Sequence, residues 1–342
     1  MQAPSPRSPP LRKWSELLGN SRTRQVLTQA VTAGRMHHAY LFSGPTGVGK
    51  YTTALSFAAS LNCLERSGEV LEDACGRCTA CKRIEAGQHP DVLEIAPSGN
   101  FIKIDQIRAI QKAALSPPYE ARYRAVIIDQ AHAMTEEGAN ALLKTLEEPS
   151  ARTLLFLITD QPHRLLDTII SRCQRLRFGA LSDEEVARAL PDVLEAPVDE
   201  ALLKVAAGYG EGSLGRAYEV LESGMLEQRE ELLEAFLAVP ADRANQWLET
   251  AERFGRGNSD LEAQLDVLIV YFRDLMLAGR ADRGRVINAD LMATIDKGVE
   301  RFSLDATLRI LDTLTEARGR LKRNVNAQLI VEGVLDQIRQ PS

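Results

Sequence analysis

The sequence predicts a parallel α/β domain with a phosphate loop and a four-cysteine insertion, followed by two all-α domains. Three observations lead there. Short apolar runs alternate with helical patterns through the first half of the chain. Gly44-Pro45-Thr46-Gly47-Val48-Gly49-Lys50 lies between one such run and an apolar helix, the strand–loop–helix context that a GxxxxGK loop requires. After Phe178 the strand patterns stop and the remainder reads as helix.

Composition narrows the options. At 44% hydrophobic and 26% charged residues, a largely disordered chain is excluded. Lys plus Arg is 41 against 47 Asp plus Glu, a net charge of −6, so nucleic acid is not held by bulk charge and any DNA contact is local or shared with partners. The densest apolar runs, Leu154 to Ile158 and Val267 to Phe272, are far too short to span a bilayer, so no membrane role is expected. Residues 1–10 hold four Pro and no apolar stretch, and read as a disordered tail rather than a signal peptide. With five Cys and no export signal, the expected compartment is the reducing cytoplasm.

Residues 12–36 read as one helix on Leu18, Val26, Leu27 and Val31, ended by Gly34. His38 to Phe42 is a short buried strand, and the helix after the glycine loop runs through Leu61. Val92 to Ile95 reads as a strand and Asp105 to Leu115 as a helix. Ala125 to Asp129 is an apolar run ending in an acid, as expected of a strand buried on both faces. Asn140 to Glu148 is a helix stopped by Pro149; Leu154 to Thr159 and Arg175 to Phe178 are the last strands. Ser182 followed by Glu184 and Glu185 is a capped helix start. The expected division is a tail at 1–10, an α/β domain at 11–179 with its insertion at 63–81, a small helical domain at 180–224 and a larger one at 225–342.

The chemistry sits in two places. In the loop, Gly44, Gly47 and Gly49 let backbone N–H groups turn inward to cradle phosphate, and Lys50 reaches the outer phosphates as a point charge. The next position should be Ser or Thr, whose hydroxyl ligates Mg²⁺, and it is Tyr51. Thr52 carries a hydroxyl, but one residue along a helix is a rotation of about 100°. Asp129 is the Walker B acid expected at the metal. Gln130 follows it where a hydrolase needs a base, and an amide cannot serve as one. A phosphate loop that has given up hydrolysis is expected, with ATP and Mg²⁺ bound weakly or not at all. The second place is Cys63, Cys75, Cys78 and Cys81, spaced x11, x2, x2, which suits a closed tetrahedral structural Zn²⁺. Cys173 stands apart as a small core residue.

These residues belong to a wider pattern. His38-Ala39-Tyr40-Leu41-Phe42 with the loop, the Cys cluster, Ile104-Asp105-Gln106-Ile107-Arg108, Ile127-Ile128-Asp129, Asn140 to Pro149, Ser171-Arg172-Cys173 and Gly212 to Ala217 together resemble the clamp-loader AAA+ proteins of bacterial DNA polymerase III. The resemblance runs from about residue 14 to 220 and is weaker beyond, where Asn324 to Leu329 is similar to the family's last helix. It implies a AAA+ domain, a helical lid and an oligomerisation collar. It also implies a heteropentameric ring with tau/gamma and delta subunits that opens the sliding clamp and places it on primer–template DNA. Tyr51, Gln130 and the length of the chain resemble the delta-prime branch; the alternative is an ATP-hydrolysing tau/gamma-type subunit. The resemblance implies that Arg172 is an arginine finger acting in trans on a neighbour's ATP, and that Arg216 matches a nucleotide-sensing arginine. Thr159 or Asp160 occupies the other sensor position. Lys144 and Arg108 are either DNA-facing or ordinary solvated helix charges.

Overall fold

The computed structural model describes residues 11–68, 71–114, 116–237, 258–321 and 326–339. The tail expected at 1–10, and Asn324 and Val325 of the family-like stretch, lie outside the described residues. Backbone proximity groups the chain into two compact units, one running to residue 195 with 212–215 added, the other comprising 196–211 and 216 onward.

The first unit is built on five parallel strands. They are β1 (Ala39–Ser43), β2 (Val92–Ile95), β3 (Arg124–Ile128), β4 (Thr153–Thr159) and β5 (Gln174–Arg177), in the order β2-β3-β4-β1-β5. The register sets Leu41 against Leu157 and Ser43 against Thr159. Every residue of β3 and β4 is buried, which is why these strands read as unbroken apolar runs.

Alternate residues feed two cores. Tyr40, Phe42 and Phe156 face α1 (Ser21–Thr32) and α2 (Lys50–Asn62), where Phe57 meets them. Leu41, Leu155 and Leu157 face α3 (Ile104–Ala114) and α4 (Glu136–Glu147), with Ile107 and Leu142 opposite. Phe156 is a hub, its ring centroid 5.7 Å from Tyr40, 5.6 Å from Phe42 and 5.9 Å from Phe57. Truncating such a ring to Ala costs about 3–5 kcal/mol.

Two elements differ from the sequence reading, for local backbone reasons. Residues 12–36 do not form one helix: a 3₁₀ turn at Trp14–Glu16 is separated from α1 by Gly19 and Asn20, at φ of +62° and +46°. The left-handed φ at Gly19 favours glycine, and a Cβ there would lie 2.2 Å from Leu181 Cδ2, so that side chain would have to move. Helix α4 starts at Glu136 rather than Asn140 because the Thr135 hydroxyl accepts the Gly138 N–H and caps the earlier turn. The start expected at Ser182 carries a full capping box with Glu185.

The second unit is helical. Helix α5 (Glu200–Tyr209), the rest of α6 (Leu214–Glu222) from Arg216 on, and α7 (Met225–Leu237) precede α8 (Asn258–Gly279), α9 (Met292–Arg301), α10 (Leu304–Leu321) and α11 (Ala327–Arg339). Leu261, Leu265, Leu268 and Phe272 of α8 are buried, as are Ile310 and Leu314 of α10, which packs on α8. Asp274 is fully buried but satisfied by the N–H groups of Ile287 and Asn288 and by the Asn288 amide, which in turn accepts from Tyr209.

Candidate phosphate-loop and metal sites

The loop between β1 and α2 has the backbone that its glycines permit. Gly44, Gly47 and Gly49 sit at φ of +150°, +75° and +88°. A Cβ on Gly44 would lie 2.1 Å from the Phe178 carbonyl oxygen, and one on Gly47 would lie 2.0 Å from Ser213 Oγ. The Gly47 carbonyl accepts the N–H of Leu214 at 3.1 Å, so residues 213–214 lie directly over the loop. Lys50 is buried, and its ammonium turns back onto the loop, donating to the Gly44 and Pro45 carbonyls. Burial pushes its pKa down, against the pull of Asp160 and Asp129.

Around the expected metal position the side chains are otherwise engaged. The Tyr51 hydroxyl donates to the Glu94 carboxylate on β2. Asp129, at the end of β3, is half-buried, and one of its oxygens accepts the Gln130 N–H at 2.9 Å. Burial raises its pKa, while the Gln130 N–H and the Lys50 charge act in the opposite sense. Gln130 is exposed, with φ of +49°.

The end of β4 resolves which residue faces the loop. Thr159 is buried, and its hydroxyl lies 3.0 Å from His132 Nδ1. Asp160 lies beyond it, one carboxylate oxygen accepting from the Thr46 hydroxyl at 3.3 Å and the other 3.3 Å from His132 Nδ1. His132, Glu94 and Ser213 escaped the sequence reading. Glu94 had a signal, being the one acid in an otherwise apolar strand, and Ser213 lay in the family-like stretch Gly212 to Ala217; His132 had none.

The arginines fall in different settings. Arg172 follows a short helical turn at Asp167–Ile170; its guanidinium donates to the Thr168 carbonyl at 2.8 Å and pairs with Glu147 at 2.6 Å, with 34% of the side chain still exposed. Arg216 pairs with Glu211 and Asp266, each at 2.6 Å, and Arg318 joins the same acids at 3.6 and 3.0 Å, giving a four-charge cluster inside the second unit. The α6 residue next to the loop is Gly215, whose Cβ position is 3.6 Å from Gly47 Cα. Lys144 and Arg108 are exposed, Arg108 beside Asp105 at 3.9 Å. Cys173 is buried, which pushes its thiol up to about 12.

The four remaining cysteines converge. Cys78 caps a short helix, Thr79–Glu85, that brings Cys81 back towards Cys75. All four Sγ atoms lie within 4.8 Å of one another, and Cys75 and Cys81 are 4.0 Å apart. A tetrahedron with Zn–S bonds of ~2.3 Å has edges of about 3.8 Å, so the donor set fits Zn²⁺ with little movement. The N–H groups of Cys75, Cys78 and Cys81 point at Cys63, Cys75 and Cys78 sulfurs at 3.5, 3.3 and 3.4 Å, a geometry that stabilises thiolate. Burial pushes the Cys63 and Cys81 thiols up; at Cys78 the opposing N–H donors of Cys81 and Leu64 outweigh burial and leave it at about 7.

A parallel sheet with a phosphate loop after β1, helices on both faces and a helical C-terminal half define an α/β protein of the P-loop class. Residues 19–182 match the family described as DNA polymerase III, delta subunit, and residues 223–340 the one described as DNA polymerase III, delta subunit, C terminal. DNA polymerase III subunit delta' of Bacillus subtilis (strain 168) is 32% identical over 327 residues, spanning 93% of this chain and 96% of that protein. DNA polymerase III subunit delta' of Pseudomonas aeruginosa (strain PAO1) is 40% identical over 58% of this chain and 60% of that protein. DNA polymerase III subunit tau of B. subtilis is 28% identical over 96% of this chain and 62% of that protein. The chain belongs to the delta-prime family of DNA polymerase III subunits. Among the described residues no helix is long and apolar enough to cross a membrane.

Proposed function

We propose that the chain is a clamp-loader subunit of DNA polymerase III that does not hydrolyse ATP itself and lends Arg172 to the ATP site of a neighbouring subunit. Its family membership and its likeness to tau support a place in that assembly. Its partners are then tau/gamma and delta subunits in a pentameric ring, the sliding clamp, and primer–template DNA met through the assembled ring. Zn²⁺ on Cys63, Cys75, Cys78 and Cys81 is structural, because a closed thiolate shell leaves no position for a reacting ligand.

The observation that carries the proposal is the state of the phosphate loop. Tyr51 stands where a Ser or Thr is needed and is bonded to Glu94, and Gln130 stands where a base is needed. A tau/gamma-type hydrolase would need a Ser or Thr at position 51 and a carboxylate at position 130. Arg172 suits the opposite task. It lies at the surface, fixed by one carbonyl and one carboxylate, and its planar fork can exchange Glu147 for the γ-phosphate of an adjoining subunit.

Steady-state ATP turnover, measured on the isolated chain and on the ring assembled with tau/gamma and delta subunits, tests this. The isolated chain is expected far below ~1 s⁻¹, an ordinary enzymatic rate, while the ring turns over. Turnover by the isolated chain at that rate overturns the proposal.

A further inference from the structure

We propose that Asp160 is a built-in counter-charge beside the phosphate loop that keeps the loop closed to nucleotide. The inference rests on the degenerate-loop proposal and deepens it, since it names a lesion that neither Tyr51 nor Gln130 explains.

Strand pairing puts Asp160 there. β4 lies beside β1 with Thr159 opposite Ser43, and the Gly44 N–H donates to the Thr159 carbonyl at 3.2 Å, so the residue after Thr159 emerges alongside the loop. Both carboxylate oxygens have a polar neighbour. One accepts from the Thr46 hydroxyl, a residue of the loop itself, and the other faces His132 Nδ1, each at 3.3 Å. The same His132 nitrogen lies 3.0 Å from the Thr159 hydroxyl. The carboxylate itself is exposed, with 34% of the side chain accessible.

Its charge has two consequences. A loop built to cradle phosphate gathers inward N–H groups and a lysine, an arrangement that wants an anion. Asp160 places one beside the loop from within the chain, while the Lys50 ammonium donates to the Gly44 and Pro45 carbonyls. The same carboxylate repels an incoming triphosphate, because like charges juxtaposed at a binding surface are strongly unfavourable. Asp129 is a second acid near enough to act on the Lys50 charge, so two negative groups would meet an incoming triphosphate.

The test uses the full chain titrated with a fluorescent ATP analogue and, separately, with inorganic triphosphate. Asp160→Asn keeps the shape and removes the charge. It should bind both probes at least about tenfold more tightly than the unmodified chain, the size of a single adverse charge contact. Adding Lys50→Ala should abolish the gain, which ties it to this loop. Without ligand, Asp160→Asn should melt at a lower temperature, because the loop has lost its internal anion. An affinity unchanged in a folded Asp160→Asn protein overturns the inference and leaves the degenerate-loop proposal standing. Tight binding with turnover by the unmodified chain overturns that proposal instead. Asp160→Ala is the second variant if Asp160→Asn does not fold, with the same outcomes read in the same way.

Discussion

Replacing Asp91 by Asn should remove a defined, pH-dependent share of the first unit's stability. Asp91 is fully buried just before β2, the strand that carries Glu94. One oxygen accepts the Tyr119 N–H and the Arg124 guanidinium at 2.8 and 2.7 Å; the other accepts the Glu120 and Ala121 N–H groups at 2.8 and 3.0 Å. Burial pushes the carboxyl up, but the three N–H donors and Arg124 outweigh it and hold the pKa at about 2, against an ordinary 3.8. A depressed carboxylate stabilises the fold above its unfolded pKa, and that stability is lost as pH falls through the folded value. At ~1.4 kcal/mol per unit, the difference is worth about 2 kcal/mol. Denaturant unfolding of both proteins should therefore show the Asn variant weaker at neutral pH, with Arg124 left buried beside a neutral amide. The gap should narrow by about 2 kcal/mol as pH falls from about 5 to 2. Acid loss of any bound zinc weakens both proteins alike and drops out of the comparison. A gap that stays constant across that range would refute the reasoning.

Elemental analysis of carefully prepared protein should find about one zinc per chain, and Cys75→Ser should lose the metal while the sheet survives, since the cluster lies outside the strands. Binding must expel thiol protons, above all from buried Cys63 and Cys81, so affinity should fall as pH drops; flat affinity in a chelator competition would count against a thiolate site. Arg216→Ala should cost the second unit about 1 kcal/mol by leaving Glu211 and Asp266 to share Arg318, with no change in nucleotide binding. Weakened nucleotide binding without loss of stability would restore Arg216 to a sensing role.

The strands were legible because β1, β3 and β4 are buried on both faces and so appear as plain apolar runs in the sequence. The phosphate loop and the Cys cluster were legible because local spacing dictates their geometry. What escaped depends on distant partners or on backbone detail. The break at Gly19 and Asn20 is a positive-φ feature inside an otherwise helical pattern. Tyr51 could be judged unfit for a metal from its chemistry, but its bond to Glu94 follows only from how α2 lies across the sheet. The register of β4 on β1 decides whether Thr159 or Asp160 reaches the loop, and a single sequence does not print a register. Arg216 was singled out by motif, while its acids, Glu211 and Asp266, lie 55 residues apart in the chain.

Arg172 offers the most direct test. Arg172→Ala should be examined both as the isolated chain and in the assembled ring. A finger acting on a neighbour predicts rings that assemble normally, an isolated chain that melts as before to within the small value of a part-exposed Glu147 pair, and a marked fall in ring ATPase and clamp loading. Fingers contribute on the order of 10³–10⁵ at a single site; the ring should lose less, because only one of its ATP sites borrows this arginine. Arg172→Lys should also be impaired, since an ammonium keeps the charge but not the planar fork. Normal turnover in rings built with Arg172→Ala, together with a lowered melting temperature of the isolated chain, would contradict the proposal and leave Arg172 as a structural partner of Glu147.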